Sequence, residues 1–123
     1  MKTFDSDLAE MLNACCDGSP IERVILGMHD FQLAFAGISR LQGTFKVVFR
    51  LRGHRYSWTG GPCDIPAWRL PGQVPIRFER VSAFVLRLCL ASGDEVEFHT
   101  AENAYECVVI EFLRNGREVM EIA

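Results

Sequence analysis

The hydrophobic period of the chain changes once. Phe4, Leu8, Met11, Leu12 and Cys15 recur at helical spacing and predict one apolar face of an amphipathic helix within residues 1–18. Thr3 or Asp5 can cap its first amides, Asp5 and Asp7 suit its positive end, and Gly18 followed by Pro20 stops it. After Pro20 the period falls to two. Phe31, Leu33 and Phe35 alternate with Gln32, Ala34 and Ala36, while Phe45, Val47, Phe49 and Leu51 alternate with Lys46, Val48, Arg50 and Arg52. These are half-buried strands. Arg52-Gly53 marks a turn into a return arm over His54 to Thr59, and residues 60–75, with four prolines, predict the longest irregular segment. Strands resume at Ile76 to Val81. Phe84, Leu86, Leu88 and Leu90 then share one face with Arg87 on the other, Ser92-Gly93-Asp94 turns the chain, and a short strand covers Glu95 to His99.

The last segment, Tyr105 to Ala123, reads as a β-hairpin. A two-residue Asn115-Gly116 turn would set Ile110 opposite Glu121 and Glu111 opposite Met120, polar against apolar throughout. A three-residue Arg114-Asn115-Gly116 loop, with Gly116 bulged, instead pairs Ile110 with Met120 and Val108 with Ile122. That second register is the expected one. Val108-Val109-Ile110 is apolar on both faces, which predicts a central strand pair covered by another sheet on one side and the N-terminal helix on the other. The strands are closely spaced, with no second helical pattern between them, which argues against βαβ units. The expectation is an α+β, mainly β, single domain over 1–123. One N-terminal helix (1–18) packs on a seven- or eight-stranded antiparallel sheet or two-sheet sandwich (21–123).

At 123 residues the chain can bury roughly two-thirds of its unfolded surface in one core. Its 49% hydrophobic and 24% charged residues exclude disorder, and no run approaches the roughly 20 apolar residues of a membrane-spanning helix. Three carboxylates by position 10 are unlike a secretory signal, so a cytoplasmic location without membrane contact is expected. Cys15, Cys16, Cys63, Cys89 and Cys107 show no CxxC spacing and read as reduced, mostly core thiols. The net charge of −3 hides a segregation into acid, base and acid. Residues 1–39 hold six acids and two bases, 40–93 two acids and nine bases, and 94–123 eight acids and two bases. Adjacent strands of opposite sign could neutralise one another, or an acidic C-terminal third could face a basic partner.

No catalytic signature emerges, so the chain is expected not to be an enzyme. His29-Asp30 lies between two apolar strand segments, where Asp30 suits turn amides. Glu97 and His99 share a strand face, but two ligands are too few for zinc, and their ordinary reading is solvent-exposed. Cys63 lies in a Gly/Pro-rich loop with only Asp64 beside it, which works against a thiolate. Vicinal Cys15-Cys16 reads as packing. FRLRGHRYSW, with Trp68 and Arg69, interleaves bases and aromatics as single-strand nucleic-acid surfaces do. Yet Arg50 and Arg52 are an expected solvent face, and a pI near 5.6 opposes nucleic-acid binding. Phosphate loops, serine elbows and cofactor motifs are absent.

The order of features resembles small bacterial immunity proteins, particularly the immunity-protein-fifty-like group. It runs from HD between two early strands, through PIRFERVSAFVLRL, to VEFHTAENAYECVVIEFLRNGREVMEIA, and spans residues 21–123. His29-Asp30 matches a His-Asp motif after the first strand, and the closing strand pair matches the family's ending. The helix before residue 18 and the GGPCDIPAW loop lie outside the resemblance. It implies a non-catalytic cytoplasmic protein that neutralises one cognate toxin, often a nuclease, in bacterial competition. Glu95, Glu97, Glu102, Glu111, Glu118 and Glu121 are then the candidate contacts with a basic toxin, joined by Glu106, which shares a face with Val108. Binding would be 1:1 and weaken with salt. Two other classes remain open. One is a ligand-binding or enzymatic β-barrel with a site around His29, Trp58, Trp68 and His99, and the other is a structural subunit that dimerises through an exposed strand edge.

Overall fold

The computed structural model describes residues 3–102 and 107–123. In chain order these form α1 (Leu8–Asn13), β1 (Ile21–Leu26), β2 (Phe31–Phe35), β3 (Ile38–Gly43), β4 (Lys46–Leu51) and β5 (His54–Trp58). A 3-10 turn at Ala67–Arg69 follows, then β6 (Pro75–Ser82), β7 (Val85–Leu90), β8 (Glu95–His99), β9 (Val108–Arg114) and β10 (Arg117–Ile122). All pairings are antiparallel. They build two five-stranded sheets, β1-β2-β3-β9-β10 and β5-β4-β8-β7-β6.

The alternating strands behave as their period requires. Phe31, Leu33 and Phe35 on β2 and Val47, Phe49 and Leu51 on β4 are buried, as are Leu86, Leu88 and Leu90 on β7, but Phe45 lies before β4 and is 42% exposed, and Val48 on the opposite face is buried as well. The sheets meet through aromatic rings. Phe31 of the first sheet stands edge-on to Phe49 of the second at 4.9 Å between centroids, and Phe35 stacks on Phe78 at 6.3 Å. Gly43 lies where they approach closely, since a Cβ there would come within 2.7 Å of Val47 Cγ2 and 3.1 Å of Phe98. The sandwich expectation therefore holds, with ten strands in place of seven or eight. The added β3 was hidden by a bulge: its pairing with β9 slips between Ile38 and Arg40, so the buried residues Ile38 and Leu41 fall three apart and mask the period of two.

The helix is shorter than 1–18 and sits elsewhere than expected. Its N-cap Asp7 makes no side-chain cap bond, and neither Thr3 nor Asp5 serves as cap. Phe4, Leu8, Leu12 and Cys15 are buried, as the periodicity requires. They do not cover the outer face of β9. The helix packs along β6, where Asn13 Oδ1 accepts the Phe78 amide at 2.6 Å and the Phe4 amide donates to Ala83. Cys15 reaches across to the other sheet, 3.6 Å from the Leu113 carbonyl. The segment thus closes a side of the sandwich, because the unpaired polar edge of β6 needs partners that a sheet face does not.

The closing hairpin corrects the expected register. Asn115 and Gly116 have φ of 53° and 76°, a two-residue turn without the bulge at Gly116. Ile110 faces Glu121, Met120 faces Glu111 and Ile122 faces Val109, so the Ile110–Met120 and Val108–Ile122 pairs do not form. β10 is not central but an edge strand, and its outward residues Met120 and Ile122 stay exposed. With no neighbour beyond it, an edge strand need not match apolar with apolar, and the turn whose twist fits the strands decides. The expectations resting on Tyr105 and Glu106 lie outside the described residues.

Candidate interaction surface

The six candidate acids do not form one surface. Glu95 and Glu97 lie on the outer face of the second sheet, Glu111 and Glu118 on the outer face of the first, Glu102 follows β8, and Glu121 turns inward beneath α1. Three of them are held in ion pairs by the fold. Glu97 is buried rather than solvent-exposed: Arg87 donates to its Oε2 through Nε at 2.9 Å and Nη2 at 2.8 Å, and His99 Nε2 lies 3.3 Å from Oε1. Arg87 also reaches Glu79 at 3.2 Å, and Arg77 meets Glu79 at 2.8 Å. Glu95 lies 3.7 Å from Arg50, and Glu111 pairs with Arg40 at 2.8 Å. Basic and acidic segments therefore neutralise each other across the ladders. Cross-strand register explains it, because Glu79, Arg87 and Glu97 stand in one row across β6, β7 and β8.

Ionisation follows this packing. Burial works against the Glu97 carboxylate, yet Arg87 and then His99 hold its pKa below the ordinary Glu value. Burial lowers the His99 pKa against the opposing pull of Glu97, and Lys46 and Arg55 lower it further. The His99–Glu97 pair is thus a neutral imidazole beside an arginine-held carboxylate. No third His, Cys, Asp or Glu among the described residues completes a metal cluster with it.

The residues of the barrel alternative are dispersed. Trp58 is buried at the end of β5, His29 is exposed in the β1–β2 turn, and His99 lies on the outer face of the second sheet. A recess of about 160 Å³ beside Trp58 is lined by Leu26, Gly27, Asp30, Phe31, Cys63 and Ile65 among others, without either histidine. Asp30 meets side chains rather than turn amides: its Oδ2 accepts from Gln32 Nε2 at 2.7 Å and Gln42 Nε2 at 3.1 Å. Cys15, Cys89 and Cys107 are buried, Cys16 is half-buried and Cys63 is exposed, as their segments predicted. Burial pushes the Cys16 and Cys89 thiols up to about 11, which leaves them inert at neutral pH.

One feature of the surface is not accounted for by the fold. Trp68 is 93% exposed on its 3-10 turn, and Met28 and Leu26 at the end of β1 are 80% and 64% exposed. A groove of about 310 Å³ runs between Leu26 and Trp68, lined also by Val24, Ile65, Pro66 and Pro71, while Met28 lies outside it in the β1–β2 turn. The segment that carries Trp68 is rigidly placed. Asp94, 4% exposed in the β7–β8 turn, accepts from Arg69 Nε at 2.5 Å, Gln73 Nε2 at 2.9 Å and the Arg52 amide at 3.0 Å. The Gly72 amide and Gln73 carbonyl bond to Ile21 at the start of β1. The exposed tryptophan is therefore held out by a structured base. Sequence reasoning named Trp68 only as a barrel-lining residue or nucleic-acid platform and missed Leu26 and Met28. The available signal was Ile25-Leu26, two adjacent apolar residues in one strand, of which one must face outward.

No helix among the described residues is long and apolar enough to cross a membrane. No protein family, curated protein or solved structure matches the chain.

Proposed function

We propose that this chain is a non-catalytic interaction protein that binds another protein and, following the resemblance to immunity proteins, neutralises a cognate toxin. The observation that carries the reading is Trp68, with Leu26 across one groove from it. Large apolar side chains held in water on a braced loop are unfavourable for an isolated domain and are the residue types that anchor protein interfaces. The acids act in second place. Glu102 and Glu118 are exposed and outside the ion pairs described above, so they would steer a basic toxin and make binding weaken as salt rises. Glu95, Glu97 and Glu111 keep their structural partners.

Capture followed by co-expression tests this. The captured partner, expressed alone, should arrest growth, and the wild-type chain should restore it. Leu26→Asp combined with Trp68→Ala should abolish both capture and protection while leaving far-UV circular dichroism unchanged, since both residues are exposed. Recovery of no stoichiometric partner, or of one harmless on its own, would overturn the reading.

A further inference from the structure

The first sheet ends in β10, whose outer edge is open. The amide and carbonyl of Ala123 exchange bonds with Val108, so antiparallel alternation assigns Glu121, Val119 and Arg117 to the β9 side. The backbone groups of Glu118, Met120 and Ile122 point away from β9, and among the described residues no backbone bond reaches them from another segment. Their side chains share an outer face with Leu113, and Leu113, Met120 and Ile122 are 50%, 53% and 39% exposed. No bulge, proline or lysine lies on this edge, whose guards against pairing are the charges of Glu118 and the inward Glu121.

The inner face of the same strand carries an unbalanced charge. Glu121 is half-buried beside Phe4, Asp5 and Leu8, and no ion pair among the described residues reaches it. Burial raises its pKa, and Asp5 and Asp7 raise it further against the weaker opposing effect of Arg114. Four residues away on the same face stands Arg117, exposed and, among the described residues, likewise without an ion pair.

We propose that β10 pairs with β10 of a second copy in antiparallel, two-fold fashion, with Val119 opposite Val119 of the second copy. This register places Arg117 opposite Glu121 of the second copy, twice by symmetry, and Glu118 opposite Met120 in backbone-bonded pairs. Each buried carboxylate gains the cation that its own chain withholds. The neighbouring bonded register, centred on Met120, sets Val119 against Glu121 and buries the carboxylate without a partner, so charge selects between them. The two first sheets then become one continuous sheet. β1 is the opposite edge of that sheet, so dimerisation leaves the Trp68 groove free; it takes Glu118 into the seam and leaves Glu102 as the steering acid.

A contact of two edge strands is small, so association in the micromolar range of about 1–100 μM is expected. Sedimentation velocity over that range should show a monomer–dimer equilibrium. Arg117→Glu, on a residue exposed in the monomer, should weaken it at least about tenfold by like-charge repulsion. Adding Glu121→Arg should restore it. Met120→Pro removes an outward amide without touching the β9 ladder and should yield a monomer with unchanged circular dichroism. A wild-type chain monomeric throughout, growth into larger polymers, or a dimer indifferent to both Arg117→Glu and Met120→Pro would overturn the proposal.

Discussion

Asp94 shows how one carboxylate organises distant backbone. It gathers Arg69, Gln73 and the Arg52 amide, and so ties the irregular 60–75 segment to two hairpin turns. Burial opposes its charge, but Arg69, the Arg52 amide and Gln73 outweigh that and lower its pKa. A folded pKa below the unfolded one means that the ionised form favours folding. That stabilisation is complete above the unfolded Asp value of about 3.9 and is lost as pH falls through the folded pKa. Asp94→Asn should therefore cost roughly 2 kcal/mol in urea unfolding at pH 7, with the gap to wild type narrowing toward pH 3. A gap independent of pH would refute the ionic role. Neither Asp94 nor Glu97 could be read as buried from the sequence. Alternation correctly sends Glu97 to the outer face, but only its neighbours Arg87 and His99 decide that this face is covered.

Strands with a clean period were legible, and those with a shifted register were not. β2 and β4 follow directly from alternating apolar residues, whereas β3 is concealed by the bulge between Ile38 and Arg40. Asn115-Gly116 marks the β9–β10 hairpin, but matching apolar residues across its strands predicts a register that the structure does not adopt. That criterion governs interior strands and has little force at an edge. Gly116, at φ 76°, now carries a specific expectation. Gly116→Val should destabilise the protein by at least about 1–2 kcal/mol, because a branched side chain clashes in the left-handed region, and Gly116→Asn by less. Thermal unfolding of the two variants separates them. Equal losses would mean that the turn is not the tight one described.

For the whole molecule, the rings of Phe31, Phe49 and Phe98 join both sheets into one core. Neither sheet has a separate apolar interior, so unfolding should be two-state. The fluorescence of buried Trp58 and the far-UV circular dichroism should lose their native signals at the same urea concentration, and distinct midpoints would show that the sheets unfold separately. The sequence by itself determined the class of the fold, its mainly antiparallel β character, the inward residues of the regular strands and the fate of the cysteines. These follow from local period and composition, which every stretch of chain carries within itself. Only the tertiary structure decided that Glu95, Glu97 and Glu111 are matched by bases, that α1 closes a side of the sandwich, that β10 lies at an edge, and that Trp68 and Leu26 meet around one groove. Each of these depends on which distant segments become neighbours, and that is set by sheet order and packing of the whole chain rather than by any pattern within a segment.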